Sequence, residues 1–85
     1  MPRLTEFDVR PLDENGEAVD VDSYKTLAEA IRYAEHLAPS YPAVVIERHR
    51  MDVSERGAIF AHIENDEYDT VWSTGSDAVL RLFNG

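Results

Sequence analysis

The chain has 85 residues, 44% of them apolar, with 17 acidic against 8 basic side chains and a formal charge of −9. That length allows one domain spanning residues 1–85 and leaves no room for a second core. With no cysteine, disulfides, thiolate nucleophiles and thiolate metal sites are excluded, while the acidic surplus opposes nucleic acid and anionic membranes.

Near the N-terminus, Thr5, Phe7 and Val9 alternate with Glu6, Asp8 and Arg10, the period of a half-buried strand. Pro11 is expected to end it or to sit at an edge. Asp13-Glu14-Asn15-Gly16 is a turn signal. Glu17–Asp22 reads as the returning strand of a β-hairpin, with Val19 and Val21 inward and Asp20 and Asp22 outward. Thr26 and Glu29 have the spacing of a capping box. The stripe Leu27, Ala30, Ile31, Ala34, Leu37, Ala38 then predicts an amphipathic helix over about 27–38. Its solvated face carries Glu29, Arg32, Tyr33, Glu35 and His36, and Pro39 and Pro42 end it.

Ala43–Arg50, with Val44, Val45 and Ile46, has the apolar run of a central strand. Residues 51–56 are polar and precede Gly57, so they read as a loop. Residues 58–64 then return as a strand, with Ala58, Phe60 and His62 on one face. Asn65-Asp66-Glu67 reads as an acidic turn. A fifth strand over 68–73 alternates Tyr68, Thr70 and Trp72 with Asp69, Val71 and Ser73. In the tail, Thr74 and Asp77 can cap a short helix bearing Ala78, Val79, Leu80, Leu82 and Phe83, although Leu80 and Leu82 also alternate as a strand would. The expected fold is α+β: an antiparallel four- to five-stranded sheet, ordered β-β-α-β-β-β, with one helix on one face and a short C-terminal helix. Phe60, Tyr68 and Trp72 are expected on the face that the first helix does not cover.

Reactive constellations are scarce. His36, His49 and His62 show no HxH, HxxxH or HExxH spacing, so no zinc ligand set is expected. The serines fall at caps, turns and strand ends, none in a GxSxG turn. Glu6 with Asp8, and Asp20 with Asp22, alternate with apolar positions and are expected to face water, not to form a catalytic pair. The glycines form no phosphate loop, and the oxygen-rich segments 13–17 and 64–69 lack the calcium-loop pattern. Neither a metal nor another cofactor is expected.

Two acidic blocks stand out. Asp13, Glu14, Glu17, Asp20 and Asp22 have no Lys or Arg among them, and neither do Glu64, Asp66, Glu67 and Asp69. Arg48, His49, Arg50 and Arg56 lie between the blocks. The charges pair internally across a solvated surface, or the acidic blocks steer a basic protein partner. The expected function is a non-catalytic, acidic protein-binding or regulatory module. It would act through these nine acids with Phe60 and Trp72. One alternative is a homodimer or accessory subunit assembled through the sheet; another is a small-ligand sensor with Tyr33, Tyr41 and Tyr68 in its pocket.

The layout with TLAEAIRYA in its helix is similar to that of many small bacterial proteins, a likeness that carries no functional residues. Acidic regulators, immunity-type proteins and phage inhibitors that mimic DNA charge share the size and charge. The segment MPRLTEFDVR lacks the apolar stretch of a signal peptide, and no apolar run approaches the ~20 residues of a membrane span. A cytoplasmic location, with no membrane and no nucleic-acid partner, is expected.

Overall fold

The computed structural model describes residues 3–54 and 62–85. Strand β1 (Arg3–Leu12) is followed by β2 (Asp22–Tyr24), helix α1 (Leu27–Leu37), β3 (Ala43–Ser54), β4 (His62–Gly75) and helix α2 (Asp77–Asn84). The strands form one antiparallel sheet in the order β2-β1-β3-β4. The chain is therefore α+β, with one helix packed on the sheet and a short C-terminal helix.

Antiparallel partners share a face, so the register divides the sheet cleanly. Phe7 and Val9 of β1, Val44 and Ile46 of β3 and Trp72 of β4 lie on the side of α1, where Ala30 and Ala34 are fully buried against them. Leu12, Ala43 and Val45 point to the other side, where Val79, Leu80 and Phe83 of α2 cover them. Thr26 caps α1 by accepting from the Glu29 N–H at 3.2 Å, and its hydroxyl donates to Glu29 Oε1 at 3.0 Å. The carboxylate thus takes the hydroxyl proton where the sequence pattern predicts the Thr26 N–H. A 3-10 turn over Ala38–Ser40, containing Pro39, ends the helix. Ser76 caps α2 by accepting from Val79 N–H.

Several expectations change. The returning strand of the first hairpin is only Asp22–Tyr24, paired with Phe7–Val9, and residues 17–21 make a single bridge, Leu12 to Ala18. Val19 and Val21 are exposed, not inward. Pro11 lies inside β1 and its carbonyl accepts from Val19 N–H. A strand residue's N and C=O point to the same side, so the missing proline donor faces this loop and spares the ladder to β3. Tyr33 packs on the core instead of lying on the solvated helix face.

Residues 51–54 continue β3 and 65–67 continue β4, so the predicted loop and acidic turn give way to one long ladder. Among the described residues the sheet has four strands. A bulge opposite Ile46 and Glu47 makes Val71 an extra residue of β4, and both Val71 and Trp72 pack on the α1 side. Trp72 and Tyr68 therefore fall on opposite faces. Of the strand expected over 58–64, residues 58–61, including Phe60, lie outside the described part, and 62–64 belong to β4.

Two glycines hold the second layer close. Gly16 has φ +78°, and a Cβ there would sit 2.6 Å from Leu82 Cβ of α2. Gly75 has φ +108° and would place a Cβ 2.4 Å from the Pro42 carbonyl oxygen.

Ile46, fully buried between α1 and the sheet, sets the cost of opening the core: Ile46→Ala should lose about 2–5 kcal/mol in urea unfolding. Thr26→Ala should lose about 1 kcal/mol. A loss under about 1 kcal/mol at Ile46 would place the core elsewhere.

Candidate functional site

An 11-residue helix is about 16 Å long, whereas the 12-residue β3 spans about 40 Å. Neither helix can cover a sheet of that length, so the far end of each face carries polar side chains, and the register decides which ones meet.

On the α1 side the end of the sheet is an ion-pair ladder. Arg48 Nη2 donates to Asp69 Oδ2 at 2.8 Å, and Arg50 Nη2 donates to the same oxygen at 3.3 Å. Arg50 also lies 3.0 Å from Glu67 Oε2. Hydrogen bonding from Arg48, with the charges of Arg48 and Arg50, outweighs the opposing effect of burial and holds the Asp69 carboxyl below its ordinary value.

The other face carries a denser cluster. Glu6 lies opposite His49, and Asp8 opposite Glu47; His49 lies opposite Tyr68. Asp8 is 4% exposed and His49 9%. This corrects the expectation that Asp8 faces water: β1 is an inner strand, and its neighbours on both sides shield the position. Ser23 Oγ donates to Asp8 Oδ1 at 2.7 Å. Arg10 Nε lies 2.8 Å from Glu47 Oε1, close but not aligned for a hydrogen bond, and Arg10 Nη2 stands 3.7 Å from Asp8 Oδ2. His49 Nε2 is 2.8 Å from Asp66 Oδ1. An ionised carboxylate only accepts, so the ring nitrogen is the donor. The other ring nitrogen, Nδ1, faces Asp8 Oδ2 at 3.9 Å. The ring stacks on Tyr68 at 4.2 Å between centroids, 9° from parallel, and the Arg10 guanidinium sits 5.9 Å from the centre of the same ring. Burial, with Asp66 and Asp8 nearby, pushes the Tyr68 phenol up.

The acids singled out by sequence divide accordingly. In the second block, Asp66, Glu67 and Asp69 are paired with His49, Arg50 and Arg48. Glu64 is the extra backbone residue of β4 at a second register shift. The first block lies around the loop between β1 and β2. Asp13 Oδ1 accepts from the N–H groups of Asn15 and Glu17, and Asp20 Oδ1 accepts from Val21 N–H. Asp22 hydrogen-bonds Tyr33 and thereby pushes its phenol up. Glu14, Glu17 and Asp20 remain exposed, beside exposed Val19 and Val21. Trp72 is partly buried in the core, and Phe60 lies outside the described residues.

Sequence reasoning missed the Glu6–Asp8–His49–Tyr68 cluster as a unit. Two acids on one strand face and a histidine between basic residues on another were visible signals, but only the register joins them. No family model matches the chain, and neither does any curated protein or solved structure. Among the described residues no helix is long and apolar enough to cross a membrane.

Asp69's lowered pKa stabilises the fold above the ordinary aspartate value of 3.8, and that contribution is lost as pH falls through the lowered value. Arg48→Met should remove the larger part of it, because Arg50 still reaches Asp69, and so should make the acid limb of thermal stability shallower. An unchanged acid limb would show that the ladder does not form in solution.

Proposed function

We propose that the protein is a small, non-catalytic, cytoplasmic binding module that docks a basic protein partner on segment 13–22. The observation that carries this reading is the contrast between its two acidic blocks. Three acids of the second block are matched by His49, Arg48 and Arg50. The first has no Lys or Arg from Asp13 to Tyr24. It holds Glu14, Glu17 and Asp20 in water beside Val19 (51% exposed) and Val21 (42%). Apolar side chains rimmed by unmatched charge suit a protein surface: the charge steers the encounter and the valines contribute burial.

A homodimer is the second reading, favoured by one observation: β4 is 14 residues long and forms an edge of the sheet. Long edges can pair with a second copy, but acids and bulges blunt them, and β4 carries both. Sedimentation showing a monomer at high concentration removes this reading.

The docking reading is tested by retention of cell proteins on the immobilised chain. Binding should fall away near 1 M salt, where the Debye length is ~3 Å, and should be lost in the variant Glu14→Gln, Glu17→Gln, Asp20→Asn. Salt-insensitive retention, or retention unchanged in that variant, contradicts it.

A further inference from the structure

We propose that Glu6, Asp8 and His49 form a site for a divalent transition-metal ion of the zinc class, with Asp66 as the outer partner of His49. One ligand atom from each of the three residues lies within 4.8 Å of the others. His49 Nδ1 and Asp8 Oδ2 stand 3.9 Å apart. Donors bound to one ion at about 2.1 Å stand roughly 3–4 Å apart, so small side-chain rotations close the set. A histidine nitrogen with two carboxylate oxygens is a ligand mixture that zinc and its neighbours accept. Three protein ligands would leave a position for water.

The histidine's surroundings are the independent observation. A metal-bound imidazole characteristically donates its second N–H to a carboxylate, which fixes the tautomer. Asp66 stands at 2.8 Å from Nε2, so a ring carrying its proton on Nε2 would turn the Nδ1 lone pair toward Asp8. Tyr68 stacks on the ring and holds its plane. Three acceptors, one of them the buried Asp8 carboxylate, then converge, an arrangement that costs free energy unless a cation lies between them. Arg10 fills that role only in part, being shared between Asp8 and Glu47. Its nearest carboxylate is Glu47 at 2.8 Å, and it reaches Asp8 only at 3.7 Å. Among the described residues of this face, Glu6, Asp8, Glu47 and Asp66 outnumber the Arg10 guanidinium. The inference is independent of docking on segment 13–22.

The experiment is titration of the chelator-stripped full chain with Co2+, whose d–d absorption reports nitrogen and oxygen ligation, followed by displacement with Zn2+. One Co2+ per chain is expected, released stoichiometrically by Zn2+. Asp66→Asn should weaken binding about 10–100-fold, the usual effect of removing an outer-shell partner, and Glu6→Gln at least as much. Glu6 is half-buried, so Glu6→Gln tests the site without the unfolding risk of changing Asp8; circular dichroism checks its fold. Absence of stoichiometric Co2+ binding overturns the proposal. Binding unchanged in a folded Glu6→Gln chain also overturns it, because the ion would then sit elsewhere.

Discussion

The antiparallel ladder between β1 and β3 sets the face on which the other side chains fall. It pairs Arg3 with Asp52 at one end and Leu12 with Ala43 at the other without a register break. Side chains alternate with a period of two, so a slip of one residue would exchange the faces wholesale. Val9 and Ile46 would leave α1, and Glu6 would no longer meet His49. The apolar matches Val9 with Ile46 and Leu12 with Ala43 hold this register, because any other would put buried aliphatic groups in water at about 25 cal/mol per Å2. The core thereby fixes the geometry of the polar groups.

Length explains where those groups lie. The molecule is 44 Å along its longest axis, while each helix covers a fraction of that. Beyond the helices the strands carry charge in place of aliphatic groups, and the pairing of β3 with β4 sets Arg48 and Arg50 against Asp69 and Glu67. Such exposed pairs contribute only about 0–1 kcal/mol each. Their larger effect is to occupy the second acidic block and to charge a long sheet edge. The cluster on the opposite face differs in kind. Asp8 and His49 are buried, so their partners matter more than those of surface ions.

Much of the architecture is legible in the chain itself. The spacing of Thr26 and Glu29 and the stripe from Leu27 to Leu37 mark α1, because capping and helical period are both local. The run Val44–Ile46 marks the central strand for the same reason. Segment 65–67 misleads because Asn, Asp and Glu favour turns locally, yet here they pair with Asp52, Met51 and Arg50, and tertiary pairing overrides propensity. Val71 breaks the alternation through a bulge that no local pattern announces. Val19 and Val21 alternate like a strand but lie beyond the three residues that pair. The cluster around His49 is the least legible part, since it depends on which residue of β1 lies opposite which residue of β3.

The most direct test of this account is the β1–β3 register in solution, read from interstrand backbone NOEs in the isotopically labelled chain. The structure predicts cross-strand contacts joining Glu6 to His49 and Val9 to Ile46. Contacts joining Glu6 to Arg48 or to Arg50 would show a slipped ladder and contradict both the division of faces and the cluster built on it.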